Sequence, residues 1–93
     1  MDNQPRAVIV GAGPNGLTAA ARLAMAGWSV DIYERADWAG GAAASSAEIF
    51  PGTIVDLGAA GHPFGVASPA FHALDLESHG LRWLNAPYPM AHP

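Results

Sequence analysis

Apolar and polar positions divide the chain into short stretches of different period. Residues 6–10 (Arg6-Ala7-Val8-Ile9-Val10) form a β-rich apolar run that stops at Gly11, the pattern of a buried strand. Pro14 stands where a helix would begin, because its missing N–H costs nothing in a first helical turn. Residues 17–26 are rich in helix formers, and Gly27 is placed as the terminator. The apolar side chains of this segment lie all round rather than along one stripe, which predicts burial on most sides. Residues 28–33 alternate large apolar with polar side chains and predict a second strand ending at Glu34.

Beyond Glu34 the pattern weakens. Residues 36–47 are dominated by Gly, Ala and Ser and predict a loop with close backbone approaches. Thr53-Ile54-Val55 predicts a short third strand, and residues 58–65 are turn-rich. Ser68-Pro69 has the form of an N-cap followed by a first-turn proline, which starts a helix over about residues 69–78 with Gly80 as its end signal. Residues 81–84 predict a fourth strand, and the proline-containing tail after them offers no closing element. The whole is an α/β pattern: a Rossmann-like βαβ unit over residues 6–34 and an incomplete parallel sheet.

Size and composition change this picture in one direction. A chain of 93 residues allows one small domain at most, yet 51% of it is hydrophobic and only 13% charged. A parallel sheet wants helices on both faces and several neighbouring strands. The expectation is the N-terminal part of a larger domain, completed by a C-terminal continuation or a partner chain. The net charge is −4, and the four basic residues (Arg6, Arg22, Arg35 and Arg82) are dispersed, which argues against nucleic acid as a partner. No apolar run approaches the ~20 residues of a membrane span, and the polar start lacks the form of a signal peptide. A cytoplasmic location is the default. Cysteine is absent, so these residues offer no disulfide, thiolate chemistry or Cys-based zinc site.

The candidate chemistry lies in Gly11-Ala12-Gly13-Pro14-Asn15-Gly16, placed between an apolar strand and a helix. Gly11 allows the tight turn, Gly13 lets backbone approach a pyrophosphate, and Gly16 permits close packing of helix on strand. The helix N-terminus, with Pro14 and Asn15 in its first turn, presents N–H groups and partial positive charge to phosphate. Glu34 follows Gly11 by 23 residues, close to the offset of about 20 expected for an acid that accepts hydrogen bonds from the adenosine ribose. Its charge would repel a 2′-phosphate, which argues against NADP. Arg35 either covers the adenine or ribose edge or is an ordinary solvated arginine.

Gly40-Gly41, followed by Ala42, comes six residues after the acid. Taken alone it is a flexible loop. At that spacing a second backbone segment can pass the ribityl–pyrophosphate side of a dinucleotide, which moves the choice toward FAD. The four histidines (His62, His72, His79 and His92) show no i, i+4 pair and no acidic or cysteine partners, so no metal site is expected. No residue stands out as a catalytic acid or base. The large apolar residues between Phe64 and Leu84 read as core or as an interface between domains.

Residues 8–46 resemble the FAD fingerprint of the superfamily that includes amine oxidases, protoporphyrinogen oxidases and phytoene desaturases. That fingerprint is a strand, GxGxxG, a helix, a second strand ending in Glu, a spacer and a glycine pair. Asp56-Leu57-Gly58, Gly61-His62-Pro63, Ser68-Pro69 and His79-Gly80-Leu81 are similar to one branch of it, the bacterial phytoene-dehydrogenase-like NAD(P)/FAD-dependent oxidoreductases. The resemblance implies a much longer protein whose remainder carries the substrate domain and a returning segment of the FAD site. It also places His62-Pro63 near the flavin. Many members carry Arg or Thr shortly after the glycine pair, where this chain has Ala44, Ser45 and Ser46; Ser45 or Ser46 is then the candidate hydrogen-bond donor. Disulfide reductases, by contrast, carry a redox Cys pair soon after the first βαβ unit.

The leading expectation is therefore the FAD-binding segment of a flavin-dependent oxidoreductase of desaturase or oxidase type, inactive by itself, acting on an unidentified small molecule. The alternatives are a truncated, non-catalytic nucleotide-binding or interaction module and an NAD-binding dehydrogenase domain.

Overall fold

The computed structural model describes residues 3–59, 61–62, 65–88 and 91–92. Pro63 and Phe64, both singled out by the sequence, lie outside the described residues. The chain divides into two compact units, residues 1–63 and 64–93, rather than the one small domain that its length suggests.

In the first unit β1 (Arg6–Val10) and β2 (Ser29–Tyr33) pair in parallel, in a register running from Arg6 opposite Ser29 to Val10 opposite Tyr33. The crossover between them is α1 (Pro14–Met25), so the βαβ unit stands as the pattern predicts. The ladder continues past both strand ends: Ser29 N–H donates to Pro5 O at 2.8 Å, and Gly11 N–H donates to Tyr33 O at 2.7 Å. The second of these carries the sheet's order into the glycine turn. Arg6 and Asp31 pair across the strands at 3.0 Å, but both side chains are well exposed and such pairs add little.

Burial within β1 differs from the expected two-sided strand. Ala7 and Ile9 are half-buried, while Val8 and Val10 are 60% and 87% exposed. The α1 helix differs in the same sense: Ala20 is its buried residue, and Leu17 and Met25 are exposed. Two five-residue strands cover only one side of a twelve-residue helix, so among the described residues one face of each element is packed. That packing is close at Gly16. A Cβ there would run into the Gly11 carbonyl oxygen and stand 3.3 Å from the Ile9 Cγ2.

Past the glycine pair the structure is more regular than a loop. A 3-10 turn spans Gly41–Ala43, and β3 (Ser45–Phe50) begins inside the stretch expected to be irregular. It pairs with β4 (Thr53–Asp56) in an antiparallel hairpin closed by Pro51-Gly52, the Pro-then-positive-φ-Gly sequence of a type II turn, with Gly52 at φ +78°. The predicted third strand is thus present as β4 but forms a separate two-stranded sheet rather than extending the parallel one. Register is irregular between Ser46 and Phe50, so β3 does not show the strict alternation that would mark a strand.

In the second unit α2 (Pro69–Leu74) is capped as expected, with Phe71 N–H donating to the Ser68 hydroxyl at 3.3 Å. It stops at Leu74 instead of running to residue 78. Asp75 adopts a left-handed conformation, φ +50°, and a 3-10 segment (Leu76–His79) follows. Aspartate competes for local backbone partners and tolerates this region better than most residues. The Ser78 hydroxyl bonds both the carbonyl and the carboxylate of Asp75, at 2.9 and 2.5 Å, which holds the break. No strand forms over residues 81–84. Trp83 instead stacks on Phe71, centroids 6.5 Å apart, and lies against Gly65, while Leu74 is buried, alone among the described residues of this unit.

Replacing Gly16 by alanine forces the first turn of α1 away from Gly11. Thermal or denaturant unfolding of the variant is expected to show a loss of about 1–3 kcal/mol, the usual cost of overpacking against backbone.

Candidate functional site

The glycine turn, the end of β2 and the glycine pair meet at the backbone of one residue. Ala12 is buried, 4% exposed. Its N–H donates to Glu34 Oε1 at 2.9 Å, and its carbonyl accepts from the Gly40 N–H at 2.7 Å. The end of β2 and the glycine pair are thereby pinned to one residue of the glycine turn, whose side chain is only a methyl.

Glu34 is placed by the ladder that ends at Tyr33. Its second oxygen accepts the Ala36 N–H at 2.7 Å, so each carboxylate oxygen holds one backbone amide. A carboxylate has about four acceptor positions. Two therefore remain for hydroxyl groups of a ligand. The amides of Ala36 and Ala12 hold the Glu34 carboxyl below its ordinary value, with smaller help from the Arg35 amide and charge and some opposition from burial.

The glycine pair does what its spacing suggests in backbone terms. Gly40 and Gly41 have φ of +116° and +54°, both in the left-handed region that favours glycine. A Cβ placed on Gly41 would stand 3.0 Å from the Gly13 Cα and 3.6 Å from Pro14 Cδ. Backbone of the second segment thus passes directly over the mouth of α1. That mouth has no side-chain cap: Gly13 is the N-cap residue, Pro14 opens the helix, and the first backbone bond of the helix runs from Leu17 N–H to Gly13 O at 2.9 Å. Asn15 and Gly16 sit in the first turn, where amides have no partner within the helix.

Of the sequence-derived candidates, Gly11, Gly13, Pro14, Gly16, Glu34, Gly40 and Gly41 are brought together in this way. Asn15 and Arg35 are exposed at the rim, and Ala42 lies in the 3-10 turn under Gly58. Ser45 Oγ donates to Asp56 Oδ1 at 2.7 Å, and Ser46 Oγ accepts the Glu48 N–H at 3.1 Å. The Ser45 proton is therefore spent on β4. His72 Nε2 lies 2.6 Å from Val66 O in the second unit, and among the described residues no three His, Cys, Asp or Glu side chains group as metal ligands. No helix among the described residues is long and apolar enough to cross a membrane.

The hairpin's role escaped the sequence reading. Leu57 N–H donates to Ala44 O at 2.9 Å, and Gly58 sits against Ala42, so the end of β4 returns to the back of the glycine-pair turn. The signal for it was a glycine two residues past a strand, in Asp56-Leu57-Gly58.

A carboxyl whose folded-state pKa is depressed contributes stability above its unfolded value and loses it as pH falls through the folded value. Wild-type chain is therefore expected to lose stability progressively below about pH 4.3, the ordinary glutamate value. Denaturant midpoints measured between about pH 5 and pH 3 should fall more steeply for wild type than for Glu34→Gln.

Comparison with known proteins agrees with this geometry. Residues 9–76 match the family of NAD(P)-binding Rossmann-like domains. The chain is also similar to a rat (Rattus norvegicus) protein named pyridine nucleotide-disulfide oxidoreductase domain-containing protein 2, with 39% identity over 84 residues. That alignment takes in 88% of this chain but 14% of the relative, so the chain spans only a small part of the protein it matches. A family match that runs from β1 through α2, laid over a parallel βαβ unit with its glycine turn and terminal acid, makes this chain a member of the NAD(P)-binding Rossmann-like domain family.

Proposed function

We propose that this chain is the FAD-binding segment of a flavin-dependent oxidoreductase of the phytoene desaturase and amine oxidase type. The observation that carries the proposal is the approach of the second glycine segment to the first. Gly40 N–H bonds Ala12 O, and Gly41 leaves no room for a Cβ over Gly13. A nucleotide held only by its adenosine half and pyrophosphate needs one glycine turn; a second backbone segment beside it suits a ligand that continues past the pyrophosphate.

The residues fit such a ligand. Gly11, Gly13, Pro14, Asn15 and Gly16 form the uncapped helix mouth that receives the pyrophosphate. Glu34 offers its two remaining acceptor positions to the adenosine ribose hydroxyls, and Arg35 stands at the rim beside them. Gly40, Gly41 and Ala42 line the ribityl side with backbone. When bound, FAD supplies acceptance of a hydride from a C–H or C–N bond of the substrate. The protein's own groups hold and orient it, and none of the described residues is assigned as an acid or base. The substrate domain and the rest of the FAD site belong to a longer protein, in keeping with the 14% of the relative that the chain spans.

The relative's name includes disulfide oxidoreductase. A redox cysteine pair has no counterpart in this cysteine-free chain. The similarity therefore supports the nucleotide grip and leaves disulfide chemistry without residues here.

Quenching of flavin fluorescence on titration with the chain is expected to show saturable FAD binding that NAD competes for at least about tenfold more weakly. Glu34→Ala is expected to weaken FAD by about tenfold or more, because it leaves the ribose hydroxyls and two backbone amides without their charged acceptor. Tighter binding of NAD than of FAD would overturn the flavin assignment, and an unchanged affinity in Glu34→Ala would remove that residue from the site.

A further inference from the structure

The geometry points to Gly58 as a positioning residue that seats the glycine-pair turn, and through it sets the affinity for a full dinucleotide as opposed to a mononucleotide. This rests on the proposed FAD site and extends it to a residue outside the glycine motifs. Gly58 does not have the positive φ that would call for glycine on conformational grounds. It is required by space. A Cβ at this position would stand 2.9 Å from Ala42 O, 3.0 Å from Ala42 Cβ and 3.1 Å from Ala42 Cα. Two of those three atoms are backbone, which cannot swing aside as the end of a long side chain can.

The contact is anchored from both sides. Leu57 N–H donates to Ala44 O at 2.9 Å, and Ser45 Oγ donates to Asp56 Oδ1 at 2.7 Å, so β4 is tied to the residues just after the turn. On the opposite side Gly41 abuts Gly13, and Gly40 is bonded to Ala12. The 3-10 turn is therefore held between two backbone surfaces, with Gly58 behind it and Gly13 in front. Pushing from behind moves Gly40–Ala43 against the helix mouth, where the ligand's second half would pass. The adenosine ribose side is set by Glu34 at the end of β2, whereas the three atoms nearest a Cβ on Gly58 all belong to Ala42.

Gly58→Ala in the full 93-residue chain tests this, with FAD and AMP affinities measured in parallel. FAD affinity is expected to fall on the order of tenfold, as for other overpacked backbone contacts, while AMP affinity stays within about twofold of wild type. Retained AMP binding also reports that β1, α1 and β2 remain folded in the variant. Adding Ala42→Gly to Gly58→Ala removes the methyl contact and is expected to recover part of the FAD affinity, which a general loss of stability would not do. Equal FAD affinity in Gly58→Ala and wild type overturns the positioning role. Parallel loss of FAD and AMP overturns it too, because Gly58 would then be supporting the whole unit. Failure of the wild-type chain to bind FAD while it still binds AMP overturns the flavin proposal itself, and is read without any variant.

Discussion

The backbone of Ala12, its N–H on one side and its carbonyl on the other, is the constraint on which the first unit depends. It is buried, so its N–H and carbonyl must both find partners or cost the free energy of unmatched polar groups. The partners come from different parts of the chain: the Glu34 carboxylate at the end of β2, and the Gly40 N–H in the segment beyond it. One of the two bonds is charge-assisted, the stronger kind. A largely exposed salt bridge such as Arg6–Asp31 can be lost with little consequence. Loss of either Ala12 bond would free a segment that the site needs in place.

The close glycine contacts follow from that arrangement. Once the Gly40 segment is fixed to Ala12, the turn after it must pass within contact distance of Gly13, and the hairpin end must return within contact distance of Ala42. Side chains are crowded out at Gly41 and Gly58 for the same reason that Gly16 excludes one between helix and strand. The site is a stack of backbones.

The parts legible in the sequence are those whose cause is local. The run Arg6–Val10, the proline and glycine at the two ends of α1, and the alternation that leads to Glu34 each specify an element through nearest neighbours, and all three stand in the structure. The Ser68 cap was equally visible. What escaped has causes spread along the chain or placed against expectation. The strand Ser45–Phe50 has two serines, an alanine and an irregular register, so no period of two announces it. The break at Asp75 depends on a hydroxyl three residues later. The position of Gly58 behind Ala42 depends on a hairpin whose pairing was itself not predicted. Burial was over-read for a similar reason: an apolar run shows what a strand can bury, while Val8 and Val10 show what this chain does bury.

Charge bears on how the proposed site would hold an anion. The chain carries a net charge of −4, and two of its four arginines, Arg6 and Arg22, are poorly placed for phosphate at the glycine turn, while Arg35 stands at the rim beside Glu34. Arg6 is engaged by Asp31, and Arg22 lies in the last turn of α1, at the opposite end from Gly13. Attraction at the helix mouth therefore comes from backbone dipoles, equivalent to roughly half a unit charge that fades within the first turn. A field of that size and range is useful only if the anion reaches the amides themselves. Any Cβ between ligand and backbone would add distance where the attraction falls most steeply. The glycines are thus an electrostatic requirement as much as a steric one. In a chain with so few cations, the closeness of approach stands in for the lysine or arginine that other phosphate sites use.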